Sequence, residues 1–397
     1  MEVFEEERAR LNFDKKELFR LVWNSEEMVD FITDVSKGFA EDPVLRINHS
    51  FFDLPREQQI GFNLRRAARM LELSRENKFP QVSNMNIGLI ADKSLSISAV
   101  GLHYGMFETV IKYLGSDEQV KEYQQDILDL KIQGCYAQTE IGHGSDVSSL
   151  ETTATFDKAT DSFIVNSPTI TSGKCWPGEL GKTSTHAVFH AQLIIGGKNY
   201  GVQSFVCQIR DLDTHRPLRG LEIGDIGPKG GYAAKDNGYM YFNNFRIPRT
   251  SLLSRYIKVD PEGNFSVNGD PKIAYATMMF IRIYLIHTTS VYPVLGLLVA
   301  VRYAIFRKQF KTLSDGKLER RIMDYQAHQA TLTPILAFSF AALFTKIKMY
   351  TDYFEMMDKI NRKNNFNMLK DMHSIASSLK ALFTERTLDD LKTIREC

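Results

Sequence analysis

Between Gly134 and about Asn268 the chain changes character, and this change limits its architecture more than any other feature. The residues before it recur at helical spacing. The middle is rich in Gly, Thr, Ser and Asn with short β-prone runs, and from about Ile273 long helical periods return. That order is not the alternating βαβ pattern of a doubly wound sheet. It implies an α+β protein with an N-terminal helical domain (1–133), a central antiparallel β-barrel or sandwich (134–270) and a C-terminal helical bundle (271–397). A length of 397 residues suits two or three domains rather than one core.

Local signals fill in this outline. Pro55 opens a helical segment through Leu73 with Ile60, Phe62, Leu64, Ala68 and Leu71 near one face. Ser94–Leu114 has a similar mix of small and apolar residues. Ser116-Asp117-Glu118 is an N-cap with an acidic first turn. Ala187–Ile195 and Tyr200–Ile209 flank Gly196-Gly197-Lys198-Asn199 and predict a hairpin. Further strands are expected at Thr152–Phe156, Ser162–Asn166 and Tyr239–Phe245. Helices are expected over Ile273–Lys311, Leu318–Lys359 and Asn367–Lys392, connected at Asp315-Gly316 and Asn361–Asn365. Pro293 and Pro334 are candidate kinks.

Bulk properties remove several function classes. A formal net charge of +1 gives no global field for nucleic acid or an anionic membrane. The four cysteines, Cys135, Cys175, Cys207 and Cys397, are far apart with no CxxC pair, which argues against structural zinc, any other metal site and a disulfide framework. The acidic start is not a secretory signal, and the most apolar run, Val294–Val301, is too short to span a bilayer. Ile226–Gly231 is glycine-rich but lacks GxGxxG spacing, so a nicotinamide site is not expected.

Five collinear segments point elsewhere. CYAQTEIGHGSD (135–146) resembles the flavin-contacting segment of the acyl-CoA dehydrogenase and oxidase superfamily, in the form of the acyl-CoA oxidase branch. SGKCWPGELGK (172–182), IGDIGPKGGYAAKDNGYMYFNNFRIPR (223–249), RYAIFRKQF (302–310) with DYQAHQ (324–329), and SSLKALFT (377–384) are similar to further segments of that family, in family order. The resemblance implies FAD as cofactor and fatty acyl-CoA as substrate. It implies α,β-dehydrogenation to trans-2-enoyl-CoA, with O2 as electron acceptor and H2O2 as product, in fatty acid β-oxidation. A peroxisomal setting is implied too, although the C-terminus is not an SKL-type address.

Residue roles follow from the same resemblance, each beside a plainer reading. Thr139 would contact the flavin ring; otherwise it bonds its own turn. Ser145 and Asp146 follow Gly-His-Gly, whose backbone N–H groups can hold a phosphate or ring oxygen, or they form an ordinary Asx turn. Trp176 would lie near the flavin, or be a buried structural tryptophan. Gly178 would admit a ligand where a Cβ collides. Arg307 would reach the flavin pyrophosphate of a neighbouring subunit, which implies a homodimer, with Gln326 on the adenine side and Gln329 a weaker candidate. Glu140 is expected to be structural, as a helix cap, and His143 to face solvent with no proton-transfer role. In the family a glycine turn and the catalytic glutamate lie beyond the point where this sequence stops, at Arg395-Glu396-Cys397. No catalytic residue is therefore assigned. A non-catalytic FAD- or acyl-CoA-binding or scaffold homologue, or a fragment, remains the alternative.

Overall fold

A computed structural model describes residues 2–23, 25–80, 90, 99–268, 273–311, 318–363 and 365–397. Helices α1 (Glu2–Ala9), α2 (Lys15–Trp23), α3 (Glu26–Glu41), α4 (Arg56–Arg75), α5 (Thr109–Leu114) and α6 (Asp117–Leu128) come first. A π-helical turn, His103–Glu108, leads into α5. The start of the expected Ser94–Leu114 helix, 94–98, lies outside the described residues. Strands β1 (Gly134–Ala137), β2 (Thr153–Asp157), β3 (Ser162–Asn166), β4 (Lys174–Cys175), β5 (His186–Ile195), β6 (Lys198–Gln208), β7 (Leu221–Asp225), β8 (Gly238–Phe242), β9 (Phe245–Pro248), β10 (Ile257–Val259) and β11 (Phe265–Val267) follow. The chain then forms α7 (Ile273–Phe306), the hairpin β12 (Lys308–Lys311) and β13 (Glu319–Arg321), α8 (Gln326–Lys363) and α9 (Leu369–Glu396). It divides into two compact units, Ile32–Thr277 and Met1–Phe31 with Met278–Cys397.

In the central unit, β5 organises the larger sheet. Its first residues pair with β1 and its later residues with β2, both in parallel, while β6 runs antiparallel along its other edge. The sheet continues through β3 to β9, and a second sheet has the order β4-β8-β7. The larger sheet is therefore mixed rather than wholly antiparallel, while the second sheet is antiparallel throughout. β1 and β2 come from distant segments and share one edge of a ten-residue strand, so neither is its hairpin partner. Gly196 and Gly197 take φ of +56° and +80°, which suits the tight turn that aligns Ile195 with Lys198. Phe163, Phe189, Phe205 and Phe242 fill the core, with the Phe189 and Phe242 rings 4.8 Å apart. Tyr239–Phe245 is two strands, not one, because the chain turns at Asn244 (φ +48°) and passes from β8 in the second sheet to β9 in the larger one. Ser116 and Gln119 cap α6 reciprocally.

The buried face of α4 is Ile60, Asn63, Arg66, Ala67, Met70 and Leu73. This differs from the expected face because Arg66 is buried: its Nε donates to Leu45 O at 2.9 Å and its guanidinium lies over the Phe39 ring.

In the other unit, Leu297 and Ala300 of α7, Leu332 and Ile335 of α8 and Ile394 of α9 form one apolar cluster. Ile286, Ala342 and Phe383 form another. α7 and α8 run through Pro293 and Pro334. The expected first helix ends at Phe306, since Lys308 pairs with Arg321 and Ile322 N–H donates to Arg307 O at 2.9 Å. The second begins at Gln326, not Leu318. The Asp315-Gly316 connection lies outside the described residues. Val294–Val301 is part of a longer apolar helix. By length and composition Met279–Phe306 and Gln326–Ile360 could each cross a membrane, with 44% and 28% of their most apolar windows buried.

Candidate functional site

The segments 135–146 and 172–182 meet in the central unit, joined by a buried ion pair. Glu140 and Lys174 side chains have no exposed surface, and Lys174 Nζ donates to Glu140 Oε1 at 2.8 Å. The same ammonium donates to His190 O at 2.6 Å. The Glu140 carboxylate also accepts from the N–H groups of Glu151 (2.7 Å) and Thr152 (3.0 Å) and from the Thr152 hydroxyl (2.6 Å). Glu140 is thus structural, but it caps no helix; it pins the loop that enters β2. Burial pushes the Lys174 ammonium down to about 8, against the pull of Glu140.

This pin sets Thr139 beside the next segment. Cys175 N–H donates to Thr139 O at 3.0 Å, and Glu140 bridges to Lys174. The Thr139 side chain is half-buried, and its hydroxyl has no partner among the described residues. Trp176 follows at once with φ +79° and stays 57% exposed, so it is not a core tryptophan. Asn237 Nδ2 donates to Trp176 O at 2.6 Å. At Gly178 a Cβ would fall 2.7 Å from Lys235 Cε and 2.8 Å from Leu102 Cδ1. This glycine therefore has a packing reason of its own. Glu179, which the sequence did not single out, is buried with φ +65° and pairs with Lys235. Its position inside the WPG segment was visible in the sequence; its distant partner was not.

The intervening loop is more exposed. Ser145 lies at the surface, and Asp146 accepts from the hydroxyls of Ser148 and Ser149, both at 2.6 Å, so the ordinary turn is present. His143 does not face solvent. Its side chain is 25% exposed, with Nδ1 3.6 Å from Glu151 Oε1, because the loop folds back through Ile141 N–H to Gly173 O and Gly142 N–H to Thr171 O, both 2.9 Å.

Arg307 and Gln326 belong to the other unit. Both are exposed, and neither side chain has a partner among the described residues. Gln329 Nε2 donates to Met323 O at 2.9 Å, which accounts for it as a helix-start contact.

Taken alone, the central arrangement offers an exposed indole and a free hydroxyl on a rigid base whose buried charges are already paired. It can seat a flat ring by stacking and hydrogen bonding. It assembles no free acid or base from Glu140, Lys174 or Glu179.

Comparison with known proteins agrees with this fold. The family model for the acyl-coenzyme A oxidase N-terminal region matches residues 14–133, and that for the acyl-CoA oxidase C-alpha1 domain matches 275–397. The chain is 36% identical over 399 residues to putative peroxisomal acyl-coenzyme A oxidase 1.2 of Arabidopsis thaliana, covering 98% of this chain and 59% of the relative. Against peroxisomal acyl-coenzyme A oxidase 1 of Bos taurus it is 37% identical, covering 96% and 57%. An acyl-CoA oxidase structure from tomato superimposes with a TM-score of 0.92 at 35% identity, over 99% of this chain and 60% of that one. Acyl-CoA oxidase-2 of Caenorhabditis elegans, bound with FAD, ascaroside-CoA and ATP, gives 0.94 at 32%, over 99% and 59%. The chain belongs to the acyl-CoA oxidase family. It spans just under three-fifths of the length of these relatives.

Proposed function

We propose that the chain takes part in FAD-dependent α,β-dehydrogenation of fatty acyl-CoA, giving trans-2-enoyl-CoA, with O2 as the electron acceptor and H2O2 as product. One observation carries this reading: the docking of Thr139 against Cys175 beside an exposed Trp176, which brings two family segments together around a hydroxyl with no partner among the described residues. The residues fit a flavin. Thr139 would hydrogen-bond the ring, Trp176 would cover it, and Gly178 would present main chain. The turn at Ser145 would hold a ring or phosphate oxygen. Arg307 would pair with the pyrophosphate of a flavin held by a neighbouring subunit, with Gln326 on its adenine side. Bound there, FAD would supply the two-electron acceptor. The relatives' peroxisomal names support that compartment for this chain as well.

A homodimer fits the surface of α7, where Val294, Leu298, Val299 and Phe306 are 43%, 48%, 70% and 71% exposed. Arg307 follows directly, so a second copy on this face would meet it. We read α7 as a bundle helix rather than a membrane span, since Arg282 Nη1 reaches His373 Nε2 (2.9 Å) and donates to Ser377 Oγ (3.0 Å) on α9. We keep 1–133, 134–270 and 271–397 as the N-terminal helical, central β and C-terminal helical parts of the chain, although residues 1–31 pack with the C-terminal helices.

The test is optical. The purified chain should carry flavin absorption, and bleaching by a long-chain acyl-CoA added without oxygen would show an intact reductive half-reaction. Yellow protein that never bleaches would mean binding without oxidation, and colourless folded protein would sink the reading. Arg307→Ala should lower retained flavin several-fold more than Arg302→Ala. Equal flavin content in the two variants would remove Arg307 from the site.

A further inference from the structure

Two non-glycine residues within four positions adopt left-handed backbone: Trp176 (φ +79°) and Glu179 (φ +65°). L-residues resist this conformation, so something must hold it. The segment after the glycine-rich loop does so. Trp176 N–H donates to Gly238 O and Gly238 N–H donates to Pro177 O, both at 3.0 Å. Gly238 approaches so closely that a Cβ would fall 2.4 Å from Gly181 N. Glu179 is the charged anchor of the turn. Its side chain is wholly buried, Oε1 is paired with Lys235 Nζ, and the Leu102 backbone gives the carboxylate a further, weaker hydrogen bond. Its carbonyl accepts from Ser184 N–H at 2.7 Å.

We infer that Glu179 and Lys235 form a proton-sensitive latch beneath the Trp176–Gly178 turn. With the carboxylate ionised and paired, the turn keeps its strained form and fixes the exposed indole. With the carboxylate protonated, the pair is lost and the indole loosens. Glu179 is a positioning residue: it acts through the turn and touches no ligand itself. That the indole then covers a flavin rests on the function proposed above; the latch does not.

The charges around it are accounted for. Asp236 neighbours Lys235 and accepts through Oδ2 from the N–H groups of Lys182 and Thr183, both at 2.9 Å. Arg56 pairs with Asp225 at 2.9 Å and also reaches Lys235 O, and Lys229 Nζ donates to the same carbonyl at 2.8 Å. From the strand side, Arg210 donates to the carbonyls of Leu180, Gly181 and Ser184. Cys135 is a buried thiol that burial holds in its neutral form. His215 reaches Lys182 O at 2.6 Å. Of these, Asp236 opposes ionisation of Glu179 and Lys235 favours it. Burial is the largest influence, and together they bring the carboxyl up to about 7. The latch is therefore poised to open on the acid side of neutrality and close on the alkaline side.

Trp176 is one of two tryptophans, so Trp23→Phe leaves it as the sole emitter. On that background, tryptophan emission and acrylamide quenching are followed from roughly pH 5.5 to 8.5, with no substrate added. A single transition is expected with its midpoint at about 7. Glu179→Gln should abolish it and fix the acid-side signal. Lys235→Gln should move the midpoint up by about one unit or more, because the carboxylate loses its counter-charge. A flat parent profile, or an unchanged transition in Glu179→Gln, overturns the latch. If Glu179→Gln does not fold, the parent profile and the Lys235→Gln shift decide. Retained flavin is measured separately at about pH 6 and pH 8. Colourless protein with the transition intact would sink the flavin reading and leave the latch standing.

Discussion

Lys174 has no exposed surface, so its charge is tolerable only because Glu140 and the His190 carbonyl receive it. Removing one partner leaves the other as an uncompensated buried charge. Lys174→Met should destabilise the central unit by about 3–5 kcal/mol in urea unfolding. Adding Glu140→Gln should recover part of that loss, because the double variant buries no net charge. A Lys174→Met variant as stable as the parent would show that the pair does not pin the two segments. Both segments were legible in the sequence by family resemblance. Their junction was not: Glu140 and Lys174 stand 34 residues apart, and no local pattern says that two such charges meet. Glu179 was hidden for the same reason, since its partner Lys235 lies 56 residues on.

At the scale of elements, β1 is set by a close approach rather than by its own four residues. Gly134 N–H donates to His103 Nδ1 at 2.9 Å, and a Cβ on Gly134 would fall 2.1 Å from Phe107 Cγ. His103 and Phe107 both belong to the π-helical turn, with their rings stacked 5.7 Å apart. Gly134→Ala should therefore cost about 1–3 kcal/mol or more by overpacking. Combining it with Phe107→Leu should recover part of the loss; if Gly134→Ala melts with the parent, the contact is slack. The change of pattern at Gly134 was readable because strand and helix periods differ. The β5–β6 hairpin was readable because Gly196-Gly197 demands one kind of turn. The parallel pairing of β1 with β5 carries no such mark, since nothing local encodes a neighbour some fifty residues away. The exposed β12–β13 hairpin falls inside the expected helices because Lys308–Lys311 buries nothing and so has no burial period to betray it.

Across the whole molecule, acid should act unequally on the two units. The central unit buries His103, His186 and His190, and burial lowers them to about 4, about 4 and about 3. The unfolded chain protonates such groups near pH 6.5, while the folded chain does so only at these lower values, so the unfolded state gains more protons as pH falls. Their contribution is intact above pH 6.5 and declines as pH drops towards 4, by up to about 1.4 kcal/mol per histidine per pH unit. Glu179 works in the opposite sense. Its carboxyl is raised to about 7, so its cost is relieved as pH falls to its unfolded value near 4.5. Three histidines against one carboxyl leave a net loss. The two tryptophans separate the units, since Trp176 lies in the central one and Trp23 in the other. Urea midpoints read from Trp176 alone (Trp23→Phe) should fall steeply between about pH 6.5 and pH 4.5, and those from Trp23 alone (Trp176→Phe) should fall less. His190→Gln should flatten the Trp176 slope, since one of the three proton-linked groups is gone. Among the described residues its imidazole nitrogens reach only Ser204 Oγ (3.1 Å) and Tyr136 Oη (3.5 Å), which an amide can still reach. Equal slopes from the two probes would place the acid sensitivity outside these histidines.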